Sequence, residues 1–82
     1  MKIIIYGKKG HAYTVAFKNF LKMAEIAFEY KDLASDKDAQ NHSRQLYDGE
    51  IKYPTLIVDG EIHKTPTTDK FNKIMKDLKL RG

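Results

Sequence analysis

The dipeptide Asp59-Gly60 lies between two short runs that both read as strands, Pro54-Thr55-Leu56-Ile57-Val58 and Glu61-Ile62-His63-Lys64. Two-residue hairpin turns need positive φ at their central positions, and Asp-Gly adopts it readily. The pattern therefore predicts an antiparallel pair, around which the rest of the chain has to be arranged. Downstream, Phe71, Ile74, Met75 and Leu78 recur at the i, i+3, i+4, i+7 spacing of an amphipathic helix. Thr67 or Thr68 can cap that helix and Asp69 opens it. Lys76, Lys79 and Arg81 close it, as the helix dipole favours.

Upstream, the β-branched run from Lys2 to Tyr6 reads as a buried strand, and Gly7-Lys8-Lys9-Gly10 breaks it as a loop. From Tyr13 to Ala24 the spacing predicts a helix, with Phe17, Phe20, Leu21 and Ala24 inward and Lys18, Asn19 and Lys22 outward. Phe28 to Lys31 alternates with period two, as a half-exposed strand does. Ser35 or Asp36 can cap a second helix through Tyr47, in which Ala39, Ser43, Leu46 and Tyr47 share a face. Gly49 falls where a left-handed residue would end it. The order is β-α-β-α-β-β-α. A right-handed first crossover makes strands one and two parallel. The expected fold is α/β, a four-stranded mixed sheet with helices on both faces, in one domain over residues 1–82.

Eighty-two residues allow one modest core. No run approaches the about 18 apolar residues that a membrane-crossing helix needs. The opening Met1 to Tyr6 is short for a signal peptide and shows no small-residue cleavage pattern, so a cytoplasmic home is expected. The net charge of +4 suits an acidic protein partner or an anionic small molecule. The fifteen Lys and Arg are scattered among acidic residues, without a dense basic stripe, so nucleic acid and membrane partners are not expected. The chain has no cysteine, which excludes disulfides, thiolate nucleophiles and cysteine-ligated metal or iron–sulfur centres. His11, His42 and His63 fall in loop, helix and strand without metal-ligand spacing.

One stretch carries more information than its composition. Ile5-Tyr6-Gly7-Lys8-Lys9-Gly10 leads into His11-Ala12-Tyr13-Thr14, and Lys52-Tyr53-Pro54 directly precedes the hairpin. Over roughly residues 2 to 80 the chain resembles the glutaredoxin family, whose fold is that of thioredoxin. In that family a Lys follows the first strand, Cys-Pro-Tyr-Cys opens the first helix, and a Thr-Val-Pro with a cis proline faces the site. Lys8 falls on the family's lysine and Tyr13 on its motif tyrosine. His11 and Thr14 stand where the two cysteines would be. Pro54 falls on the cis proline. The later Gly-Gly-Cys-Asp-Asp aligns with Thr65-Pro66-Thr67-Thr68-Asp69, where only the last Asp is kept. The Tyr13-Thr14 ending is closer to glutaredoxin-like relatives in which one Cys or selenocysteine is followed by Pro-Tyr-Thr.

The resemblance implies a glutathione site, with Lys8 at a carboxylate, the Tyr53 backbone at the cysteinyl part, and Thr68 and Asp69 at the γ-glutamyl end. It also exposes a contradiction. Thiol–disulfide exchange needs a thiolate that attacks sulfur and leaves again. The imidazole of His11 cannot form a mixed disulfide, and the Thr14 hydroxyl is far too basic to stand in for a thiolate. No catalytic residue for that reaction is present. The expected role is a non-catalytic module that binds a glutathione-like thiol or peptide, or a protein partner, through Lys8, His11, Tyr13, Tyr53, Pro54, Thr68 and Asp69. The rivals are an enzyme in which Tyr13 or His11 activates a bound thiol, and a redox protein whose Cys or selenocysteine position is taken by His11.

Overall fold

A four-stranded sheet is assembled around the most apolar segment of the chain. In the structure, a computed structural model that describes residues 2–81, with side chains as far as Leu78, Ile3–Gly7 forms strand β1 and Thr55–Val58 forms β3. Both are buried along nearly their whole length, and both are interior strands. The remaining elements are α1 (Ala12–Met23), β2 (Glu29–Asp32), α2 (Lys37–Leu46), β4 (Glu61–Lys64) and α3 (Thr68–Arg81). The strand order is β2-β1-β3-β4. β1 and β2 are parallel, with Ile4 beside Glu29 and Gly7 beside Asp32; β1–β3 and β3–β4 are antiparallel. The α/β class, the mixed sheet and the element order all match the expectation. The roles expected of Lys79 and Arg81 at the end of α3 lie outside the described side chains.

The hairpin is as its turn residues require: Asp59 and Gly60 have φ of 49° and 85°. Thr55 opens β3 rather than Pro54, which has no N–H to give the ladder. Other boundaries move by a residue or two. β1 and β2 each start one residue later than predicted, while α1 begins at Ala12 and ends at Met23. Asp36 is the cap of α2, accepting from the Ala39 N–H at 3.0 Å, and Thr67 caps α3 by accepting from the Lys70 N–H at 3.2 Å. Gly49 takes the left-handed conformation at 93°, and Asp48 before it does so too.

Alternation along β1 and β3 sorts the core into two layers. Ile3, Ile5, Leu56 and Val58 face α1 and α3, where they meet Phe17, Leu21, Phe71, Met75 and Leu78. Tyr6 and Ile57 face α2, where they meet Leu33 and Ala39. One inward assignment on α1 needs correction, and one buried residue is added. Phe20 is 37% exposed at the margin between α1 and α3, while Thr14 is fully buried. The helical stripe is rotated toward Thr14 because the N-terminal end of α1 presses on the β1 terminus. Among the described residues, no helix is long and apolar enough to cross a membrane.

Candidate functional site

The loop after β1 is a tight turn. The His11 N–H donates to the Lys8 carbonyl at 3.0 Å, and Gly10 holds φ at +87°, the third turn position that a side chain resists. His11 is the residue before α1, and its carbonyl accepts from the Val15 N–H at 2.9 Å. Its side chain does not cap the helix, and the first turn of α1 contains no acidic residue. The leading N–H groups of α1 therefore lack a side-chain acceptor from either source, and they carry the positive end of the helix dipole.

Five of the seven residues assigned to the site gather here. The imidazole of His11 meets the Tyr53 ring edge-on, with centroids 4.8 Å apart and planes at 90°. The Tyr13 ring is 6.0 Å from the imidazole, and the residue is 50% exposed. The Lys8 ammonium stands over the Tyr53 ring at 5.3 Å. Pro54, joined to Tyr53 by a cis peptide bond, is buried behind them. Thr68 and Asp69 do not join the group. Both are exposed in the first turn of α3 and, among the described residues, make no hydrogen bond to the cluster.

Thr14 has become a packing residue. A Cβ built on Gly7 would run into Thr14 Cγ2 and lie 2.5 Å from Oγ1, so the glycine permits the helix to approach the strand. Among the described residues, the hydroxyl of Thr14 reaches only the Nδ1 of His11, at 3.5 Å, the outer limit of a hydrogen bond. His11 thus has a hydroxyl neighbour and two aromatic ones. No carboxylate holds its second nitrogen among the described residues, so the arrangement of an oriented general base is missing. Nor do those residues contain any group of three or more His, Asp and Glu placed to hold a metal ion. The site brings together helix N–H donors, a cation and aromatic edges.

A second polar group has no counterpart among the residues that sequence reasoning selects. The Tyr6 hydroxyl and His42 Nδ1 are 2.7 Å apart between β1 and α2, with the two rings edge-to-face at 5.5 Å. Beside them, the Tyr47 and Thr55 hydroxyls are also 2.7 Å apart. Burial, reinforced by the nearby Asp36 carboxylate, raises the Tyr6 pKa above 10.0. The register of the hairpin on β1 sets Tyr6 opposite Thr55. The available sequence signal is the period-two position of Tyr6 and Thr55 on the same sheet face, but it becomes readable only once β1 is known to pair with β3.

This geometry can be compared with known proteins. The sequence model of the family described as Glutaredoxin matches residues 3–63, well over half the chain. No curated protein matches it. The crystal structure of the thioredoxin-like protein BC3987 is similar with a TM-score of 0.73 and 29% identity, over 88% of this chain and 97% of that one; a point mutant of the same protein gives 0.74 and 29% over 89% and 97%. The solution structure of glutaredoxin from Brucella melitensis aligns with a TM-score of 0.68 over 99% of this chain and 85% of that one; at 16% identity, that likeness speaks for the fold alone. A turn that delivers His11 to the start of α1, a proline-bearing segment opposite it, and a family match spanning both make this cysteine-free chain a member of the glutaredoxin family.

Proposed function

We infer that this chain is a non-catalytic glutaredoxin-like domain, in which the face around the start of α1 binds a glutathione-like peptide. The observation that carries this reading is the convergence of Lys8, His11, Tyr13 and Tyr53 on a helix end whose N–H groups have no side-chain acceptor. A carboxylate or thiolate of the ligand is the natural complement to those donors. Lys8 supplies the fixed charge and Tyr53 the wall. In this reading Thr68 and Asp69, exposed in the first turn of α3, would take the γ-glutamyl end of the ligand. The reading keeps the cytoplasm as the compartment, since nothing in the chain depends on an oxidising environment.

Titration of reduced and oxidised glutathione into isotope-labelled protein, followed by backbone amide shifts, tests it. Shifts confined to Lys8, residues 11–14, Tyr53 and residues 68–69 are the expected result. A dissociation constant near 1 mM would correspond to about 4 kcal/mol of binding, a scale suited to a few hydrogen bonds on an open face. No shift at several times that concentration (roughly 5 mM) rules the ligand out. Turnover of a bound thiol that disappeared in Tyr13→Phe would replace the binding role with a catalytic one.

A further inference from the structure

The chain has neither cysteine nor tryptophan, so its five tyrosines are, with methionine, the side chains that lose an electron most readily. A phenol loses one easily only when its proton leaves in the same event, because the radical cation is a very strong acid. A base at the hydroxyl therefore decides which tyrosine is oxidised. Tyr6 has one. Its hydroxyl lies 2.7 Å from His42 Nδ1, and in the tautomer that carries its proton on Nε2 the imidazole accepts from it. Tyr47 is paired with the Thr55 hydroxyl, too weak a base to take a proton. The Tyr30 hydroxyl has no partner among the described residues. Tyr13 and Tyr53 meet His11 through their rings, with centroids 6.0 and 4.8 Å apart.

The surroundings of Tyr6 also suit a radical. The residue is 5% exposed, in a layer with Leu33, Ala39 and Ile57, aliphatic side chains that neither reduce a phenoxyl radical nor couple to it. Phenoxyl radicals in solution decay by joining ring to ring, and a buried ring cannot meet another copy. Tyr53 is half-buried and packs against the same layer, which gives the electron a way out. Burial and then the nearby Asp36 carboxylate disfavour a phenolate at Tyr6, and the negative charge of Asp36 favours an imidazolium beside it. His42 is only half-buried, so a positive charge there keeps contact with water.

We propose that Tyr6 and His42 form a one-electron redox site that traps oxidising radicals of the peroxyl class. One electron leaves the Tyr6 ring for the radical, the phenol O–H bond breaks, and an N–H bond forms at His42 Nδ1. The reduced peroxyl takes a proton from solvent and departs as a hydroperoxide. One peroxyl radical is consumed per chain, and Tyr6 is left as a neutral phenoxyl radical hydrogen-bonded to the imidazolium. The site uses neither Lys8 nor His11, so it stands or falls apart from the ligand reading.

The test oxidises the full chain with photogenerated ruthenium(III) tris-bipyridine and follows it by freeze-quench EPR. The expected result is a tyrosyl signal that persists after the radicals of exposed tyrosines have decayed. Its hydrogen-bond proton should show a hyperfine coupling that vanishes in heavy water, a readout that needs no variant. Tyr6→Phe should abolish the persistent signal, while Tyr30→Phe, at a buried hydroxyl with no base, should leave it. His42→Gln keeps an acceptor but no base, and should slow formation of the signal by about a hundredfold, the scale of a lost proton transfer. Urea unfolding of each variant confirms that it is folded. An azo initiator that releases peroxyl radicals should give the same signal. The proposal is overturned if the wild-type chain holds no persistent radical, if the signal survives Tyr6→Phe or if it lacks the exchangeable coupling. It is overturned equally if His42→Gln forms the signal at the wild-type rate, or if peroxyl radicals fail to produce it.

Discussion

On the α1/α3 side of the sheet, Phe17 and Phe71 stack at 3.9 Å and 9° within a layer of Ile, Leu, Val and Met side chains. On the α2 side, the layer is smaller, and its centre is the two hydroxyl contacts of Tyr6 with His42 and Tyr47 with Thr55, each at 2.7 Å. The first layer derives its stability from removing apolar area from water, which tolerates imprecise geometry but not lost volume. The second depends on pairs of polar groups that are inexpensive while satisfied and costly when one partner is removed. The large effect on the first face should therefore come from truncation, and on the second from isosteric substitution. Phe71→Ala removes one ring of the stack and leaves a void, for an expected loss of about 3–5 kcal/mol by urea unfolding. A loss below about 1 kcal/mol would mean that the layer is loosely packed and the contrast between faces is wrong.

The next effect lies at the seam between strand and helix. Gly7→Ala drives a Cβ into Thr14, a fully buried side chain with no room to withdraw. Overpacking of this kind is expected to destabilise by about 1–3 kcal/mol. Part of that loss should return in the double variant with Thr14→Ala, and the coupling energy measures the contact directly. Additive losses would show that Gly7 is required for some other reason.

The same tyrosine-to-phenylalanine change should separate the two faces by sign. Tyr47→Phe strips the buried Thr55 hydroxyl of its partner and is expected to cost about 1–3 kcal/mol. The Tyr30 hydroxyl, packed beside the α1/α3 layer, is buried without a partner among the described residues, so Tyr30→Phe removes an unsatisfied group. Its effect should fall within about 0.5 kcal/mol or be stabilising. Equal losses in both variants would erase the distinction.

What can be read in the sequence divides along the same line. The turn at Asp59-Gly60 and the stripe Phe71, Ile74, Met75, Leu78 are local patterns, each determined by backbone sterics or helical period within a dozen residues. Strand pairing and the two-layer core follow from their order. Helical period places Phe20 inward and is silent on Thr14, because it identifies a stripe but not its centre, which is set by the contact between Thr14 and Gly7. Tyr6 and His42 are 36 positions apart, and no periodicity joins them. Within the site, Lys8, His11 and Tyr13 are legible because they lie close together around one turn, and Tyr53 because it precedes the proline. Thr68 and Asp69 depend on an alignment in which Thr65-Pro66 replaces two glycines. Thr65 takes a positive φ of 40° there, and the helix it leads into starts with those two side chains in solvent.

The smallest effect is the alkaline limb of stability, to which both faces contribute. Burial raises the pKa of Tyr6, with Asp36 adding to the shift, and burial raises that of Tyr30, with Asp32 adding to it. A tyrosine that keeps its proton more tightly when folded contributes stability that is fully present below the unfolded value of 10.0. That contribution is lost as pH rises through the higher folded value, because the unfolded chain ionises first. Urea midpoints should therefore be insensitive to these two groups below pH 10.0 and should decline above it. Tyr6→Phe and Tyr30→Phe should each flatten part of the decline, measured against the wild-type slope. If only Tyr6→Phe flattens it, the linkage belongs to the hydrogen-bonded α2 face alone, and the orphaned hydroxyl of Tyr30 is in contact with water in solution. If both do, the two faces differ in how they satisfy a tyrosine but not in how strongly they exclude its charge.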